Sequence, residues 1–464
     1  MALVLGVDSS TQSTKALLVD AEDGTVVEQR TARHPEGTAV DPRAWLAAFD
    51  EAAGPLLDRA EAVAIGGQQH GSVVLDAEGE PVHDALLWND MRSAGAAADL
   101  VEELGGAQAS ADLTGTVLNA SITIAKLRWM RDHAGDALAR AHRVLLPHDY
   151  LTWHLAGRPD EATTDRGDAS GTGYFSPAQD AWLPELLEQA AGRSLALPRV
   201  AEPAEVVGHH GSVAIAPGTG DNMAAALGLG LRPGDAAVSI GTSGVVSMVA
   251  SGPSADGTGM VAGFADATGR FLPLACTVNA ARILDLAARL LGTDHAGLAE
   301  LALASVPGAH GLTLLPYLDG ERTPARPDAT GTLHGLTSST TREDLARAHV
   351  EGLLLSLADA LAAMDAMSDA SPARALLIGG AARNPAVRAL APAVLGVPVA
   401  LPEPGEYVAL GAARQAAWAL LGTEAPPQWP VPATELADPS AGPDAGELTA
   451  AYARLRERTT DWHA

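Results

Sequence analysis

Lysine is almost missing from this chain. Lys15 and Lys126 are the only two among 30 basic side chains, so 28 (30 − 2) are arginine. Most of those arginines reflect composition and need no functional reading. Cysteine is rarer still: Cys276 stands alone, which excludes an internal disulfide framework and a thiolate metal cluster. Aromatic residues reach 4%, so alanine, leucine and valine must fill the core. Basic charge is in deficit, with 57 acidic residues giving a formal net charge of −27. Nucleic acid and anionic membranes demand basic patches, so neither is expected as a partner. No apolar run reaches membrane-spanning length, and the start lacks a basic segment followed by an apolar core and cleavage site. These absences predict a soluble, cytoplasmic protein. The isolated pair His209-His210 is expected in a surface loop rather than in a metal site.

What is present is a globular chain. Its 464 residues, 47% of them hydrophobic, suffice for two to four domains with ample core. The start reads as a meander: LVLGV and KALLVD are strands, and AEDG turns the chain into the strand TVVEQRTA. WLAAFDEAAGPLLDRA has helical periodicity, and EAVAIGGQQHG is a buried strand running into a glycine-rich loop. Residues 91–157 read as largely helical, with ITIAKLRWMRDHAGDALARA the clearest segment, and 160–177 as a loop or irregular hairpin. The order then repeats. DAAVSIGTSGVVSMVA is again strand, hydroxyl-glycine loop and strand, and ARALLIGGAARNP ends in Gly-Gly as AVAIGGQQHG does. Two similar lobes follow, residues 1–230 and 231–464, joined at GLGLRPGD, with a ligand expected between them. The proline-rich stretch 424–446 is expected as a surface loop before a final helix.

Two strand-connecting loops carry the same equipment. DSSTQSTK and GTSG combine small residues, which let backbone amides approach phosphate oxygens, with hydroxyl donors such as Ser10, Thr11, Thr242 and Ser243. On equivalent hairpins of two lobes they could hold a polyphosphate from both sides. The P-loop pattern, the Rossmann glycine fingerprint and the G-x-S-x-G elbow are all missing. Transfer of a phosphoryl group to a hydroxyl needs charge neutralisation and a proton acceptor. Asp8 ends the first strand, where it could reach Mg²⁺ through water or form a local turn. Lys15 could face the β- or γ-phosphate or be solvated. In APGTGDNMAAALGLG, Asp221 sits where a helix begins, as N-cap, general base or both, and the helix terminus should keep it ionised. Gln69, His70, Asn89 and Asp90 could bind several hydroxyls, and Trp88 offers an apolar face to a sugar carbon chain. Each also has an ordinary role in loops and turns. Together they favour a polyhydroxy substrate.

With those motifs in view, the chain resembles the FGGY carbohydrate kinases. GVDSSTQSTKALLVD, GQQHG, ALLWNDMRS, LLPHDYLTWHLAG, TDRGDASGTGYF, GTGDNMAAALGLG, SIGTSGVV, LLPYLDGERTP, LIGGAARNP and ALGAARQA run in family order from residue 4 to about 416. The resemblance implies an α/β fold of two ribonuclease-H-like lobes, of the actin, hexokinase and Hsp70 type, closing over ATP and a sugar. It implies ATP- and Mg²⁺-dependent phosphorylation of D-xylulose at its 5-hydroxyl. By the same resemblance Asp221 is the proton acceptor, with Asn222 beside it, and Asp8 is the acid near Mg²⁺. Gln69 and His70 would bind the ketose, Gly241, Thr242 and Ser243 form the second phosphate loop, and Gly379, Gly380, Ala381 and Asn384 hold adenosine. Asp165 and Asp168 read as structural or substrate-loop residues. The chain departs from the family at GQQHG, where Gln69 replaces the usual methionine, and at LACTVNAARILD. The alternatives are a kinase for ribulose, another ketose or a polyol, and an actin- or Hsp70-like ATPase. A homodimer is left open.

Overall fold

The computed structural model describes residues 2–436 and 445–463. Two seven-stranded sheets organise it. The first begins with the hairpin Leu3–Ser9 and Ser13–Asp20, whose tight register pairs Asp8 with Lys15 and Ser9 with Thr14. Val26–Arg33 continues the meander on one side. On the other side Ala62–Gly67 runs parallel to Leu3–Ser9, followed by Val213–Ile215 and then the edge strand Gly208–His210. The second sheet repeats the plan. The hairpin Asp235–Ile240 and Gly244–Met248 is flanked by Arg374–Ile378, parallel to its first strand, and by Phe271–Thr277 on the other side. The repeated order read from the sequence is therefore the repeated core of two lobes. Parallel strands buried on both faces need continuous apolar runs, and AVAI and ALLI supply them.

Several local expectations give way to the structure. The segment 45–60 is two helices, Arg43–Ala52 and Gly54–Leu57, because Gly54-Pro55 interrupts the pattern. ITIAKLRWMRDHAGDALARA divides at Ala134 into Thr123–His133 and Gly135–Arg140. His209 and His210 are exposed, as expected, but on a strand rather than in a loop. The stretch 424–446 is also more than a loop: Trp429 is buried with its indole nitrogen on the Ala21 carbonyl, 3.2 Å away. Ala433–Glu435 pairs with Val399–Pro402, covering an otherwise open sheet edge. Residues 437–444 of that stretch lie outside the described residues, and the expected final helix is Gly446–Arg458.

One helix ties the two halves together. Tyr407–Leu421 belongs to the second half of the sequence, yet Ala409, Ala412, Ala413, Ala416 and Ala417 pack with Val4, Leu17 and Ala64 of the first sheet. Its other face meets the helix Asp221–Gly228. Contact there is backbone to backbone: a Cβ on Gly411 would lie 1.8 Å from the Ala224 carbonyl oxygen, and one on Gly228 would lie 2.1 Å from that of Tyr407. Among the described residues no helix is long and apolar enough to cross a membrane.

Candidate active site

The sheet ends converge on one cleft. Asp8 lies beside Gly66 at the end of its strand, and Thr219–Gly220 pairs onto Gly66–Gly67. The chain then turns directly into the helix Asp221–Gly228, so the same sheet edge delivers Asp8 and Asp221. A cavity of about 710 Å³ opens between the lobes, lined by Asp8, Lys15, Asp221, Asn222, Gly379 and Gly380 among others. Asp221 is the first helical residue, and Gly220 holds the cap position. Its Oδ1 accepts from the Asn222 backbone N–H at 2.8 Å and from Asn222 Nδ2 at 2.9 Å. Among the described residues no other residue donates a hydrogen bond to Oδ2.

The electrostatics reverse one expectation. The helix terminus does favour an ionised Asp221, through the Asn222 N–H. Burial acts more strongly, the Asp8 carboxylate adds repulsion, and together they push the Asp221 carboxyl up to about 7. Asp8 is likewise raised to about 7, by burial first, with Lys15 opposing and Glu406 adding to the rise. Lys15 is not free: its Nζ lies 2.5 Å from Glu406 Oε2, a partner 391 residues away that the sequence does not signal.

This arrangement suits a hydrated divalent cation. Asp8 is 4% exposed and its Oδ1 has no hydrogen-bond partner. Among the described residues no cluster of three or more histidine, cysteine or acidic side chains could hold a metal alone. Two carboxylates facing the cleft, Asp8 and Asp221, match Mg²⁺, which keeps most of its waters and takes few protein ligands.

Among the residues expected to meet a sugar, His70 is held in the left-handed region at φ 68, with Nδ1 2.7 Å from the Gly171 carbonyl oxygen. Burial and then the Lys126 charge push its imidazole down to about 3, so the ring is neutral. Gln69 Oε1 accepts from Asn222 Nδ2 at 2.9 Å. Trp88 is partly exposed and donates to Thr11 Oγ1 at 2.9 Å. Asn89 lines a neighbouring cavity with Thr11 and Gln12. Asp90 is not brought to the cleft as a free ligand: Thr38 Oγ1 and the Arg92 backbone and guanidinium occupy its carboxylate.

Among the residues expected to hold adenosine, Gly379 sits at φ 92 and a Cβ there would lie 2.6 Å from the Ile240 carbonyl oxygen. Only glycine fits that turn, which brings Gly379 and Gly380 to the cleft together with Ala382 and Arg383, whereas Ala381 packs against the core of the second lobe. Gly241, Thr242 and Ser243 are exposed at that hairpin's tip. Ser10 spends its hydroxyl on the Ser13 carbonyl at 2.9 Å. Asn384 Oδ1 caps the helix Pro385–Leu395 through the N–H groups of Ala386 and Val387.

Beneath the site lies a buried cluster whose role the sequence does not reveal, although its residues fall in recognisable motifs. His148 is fully buried, with Nδ1 2.7 Å from Asp168 Oδ2 and Nε2 3.1 Å from Asp149 Oδ1. Asp165 accepts from Thr219 Oγ1 at 2.7 Å and so braces the turn that presents Asp221. Burial alone would lower the imidazole, but Asp149, Asp168 and Asp165 outweigh it and raise His148 to about 9. A raised folded pKa contributes stability that is complete below pH 6.5 and is lost as pH rises through about 9. The urea midpoint is therefore expected to fall between pH 6.5 and 9.5; an unchanged midpoint would count against a charged His148.

The N-terminal domain of the FGGY family of carbohydrate kinases matches residues 3–228, and the C-terminal domain matches residues 236–420. The chain belongs to the FGGY family of carbohydrate kinases. It is 50% identical to the xylulose kinase of Streptomyces coelicolor over 440 residues, covering 91% of this chain and 89% of that protein. The crystal structure of xylulose kinase from Bifidobacterium adolescentis matches with a TM-score of 0.93 at 42% identity, covering 98% of this chain and 99% of that one. Gluconate kinase from Lactobacillus acidophilus matches with a TM-score of 0.90 at 22% identity, over 100% and 99% of the chains. That last likeness shows the fold alone, so the sugar must be argued from the pocket. The two-lobed α/β kinase fold expected from the motifs is the fold observed.

Proposed function

We propose that this chain transfers the γ-phosphoryl group of ATP to the 5-hydroxyl of D-xylulose, giving D-xylulose 5-phosphate and ADP. The observation that carries the reading is Asp221, which faces the interlobe cleft with Oδ1 committed to Asn222 and Oδ2 open. Asp221 Oδ2 takes the proton of the 5-hydroxyl as that oxygen bonds to the γ-phosphorus. The bond between γ-phosphorus and the bridging oxygen breaks, and the electron pair leaves with ADP. Mg²⁺, when bound beside Asp8, offsets phosphate charge. Lys15 and the loops at Ser10–Thr11 and Gly241–Ser243 would bind the phosphates, and Gly379–Ala381 would receive the adenosine. His70, Trp88, Asn89 and Asn222 would orient the sugar in a closed, dry cleft.

Gln69 raises the rival reading, a different ketose. Its amide is 4% exposed and turned onto Asn222. That placement supports Gln69 as a brace for the residue beside the base, while its Nε2 is buried without a hydrogen-bond partner. The test is the position of the phosphate: incubation with ATP, Mg²⁺ and D-xylulose should give phosphorus–carbon coupling at C5 in the NMR spectrum. Phosphate on another carbon would overturn the assignment.

A further inference from the structure

Lys126 is the second of the two lysines, and it is completely buried. A buried ammonium is unfavourable unless its donors are met. Here they go to two backbone carbonyls, His70 at 2.9 Å and Ser121. Thr123 Oγ1 donates to the same His70 carbonyl at 3.2 Å. Two side-chain donors thus fix the backbone of a residue whose φ of 68° lies in a region that side-chain-bearing residues seldom occupy. The neighbouring backbone is closed as well: a Cβ on Gly71 would lie 2.6 Å from Pro147 Cγ. The ring is held separately. Nδ1 faces the Gly171 carbonyl at 2.7 Å, which can only accept, so Nδ1 carries the proton and Nε2 is left as an acceptor. Phe264 of the second lobe packs against the imidazole, with ring centroids 5.6 Å apart.

We propose that Lys126 is a positioning residue of the sugar pocket: bound to the His70 carbonyl, it holds the left-handed backbone that presents His70 Nε2 to a sugar hydroxyl. The inference rests on the reading that His70 touches the sugar. Lys126→Met keeps the length of the side chain and removes its donors. In the full-length protein the KM for D-xylulose should rise about tenfold or more. The KM for ATP should stay within about twofold, and kcat should move less than the sugar KM. Lys126→Arg should recover part of the loss. Because Lys126 acts through His70, the double variant with His70→Asn should be no worse than His70→Asn alone. Additive effects, or an ATP KM rising in step, would overturn the proposal. An unchanged sugar KM in His70→Asn would instead overturn the reading beneath it. If Lys126→Met does not fold, Thr123→Val removes the other donor to the same carbonyl and is read through the same cycle. Additivity there overturns the proposal too.

Discussion

Replacing Asp221 with asparagine should lower D-xylulose-dependent ADP release by about 10²–10⁴-fold while leaving ATP binding nearly intact. The substitution preserves shape and the hydrogen bond from the Asn222 backbone, and it removes only the ability to accept a proton at Oδ2. The same residue sets the pH dependence. Asp221 and Asp8 both stand near 7, raised chiefly by burial, with the Asp8 carboxylate disfavouring ionisation of Asp221 and Glu406 disfavouring that of Asp8. A base works only when ionised, so kcat/KM for the sugar should climb as pH rises and level off above about 7. The limb belongs to the pair rather than to one carboxyl. Asp221→Asn should flatten what remains of it. Turnover within about threefold of the parent would remove Asp221 as base.

Gly411→Val should cost the most stability of any single change considered. Gly411 and Gly228 let the helices Tyr407–Leu421 and Asp221–Gly228 touch through their backbones. A Cβ on Gly411 would stand 1.8 Å from the Ala224 carbonyl oxygen and 2.8 Å from the Gly228 nitrogen. The helix cannot retreat, because its far side presses on the first sheet: a Cβ on Gly6 would lie 2.0 Å from the Ala409 carbonyl oxygen. Rigid backbone on both sides leaves no flexible side chain to move aside. The cost should exceed about 4 kcal/mol, at the extreme of single substitutions. It should also displace Asp221, which begins the helix being pushed. Gly135, with open space where a Cβ would go, is the control, and Gly135→Ala should stay within about 0.5 kcal/mol. Chemical unfolding of both variants decides the matter, and similar midpoints would refute the packing argument.

These two residues mark how far the sequence could be read. The hairpins, the strands ending in Gly-Gly and the turn into Asp221 were legible because each is written in a short local pattern of apolar runs, hydroxyls and glycines. Contacts between distant segments were not. Nothing in EPGEY announces that Glu406 takes Lys15, and nothing in WND says that Thr38 and Arg92 consume Asp90. The helix at Tyr407 is alanine-rich on every side, so its periodicity could not disclose that it covers the first sheet. The helix position of Asp221 was readable, but its burial was not, and burial decides its pKa. His148 and Lys126 lay in noted segments, yet their roles arise only when the loops at Gly67, Thr219 and His70 come together above them.

ADP release with ATP and Mg²⁺ across D-xylulose, L-xylulose, D- and L-ribulose, glycerol, D-gluconate and no sugar identifies the acceptor of the phosphoryl group. Strong turnover is expected with D-xylulose and little with the others. Equal or faster turnover with another sugar would contradict the substrate assignment, and ADP release indifferent to sugar would contradict the kinase reading itself.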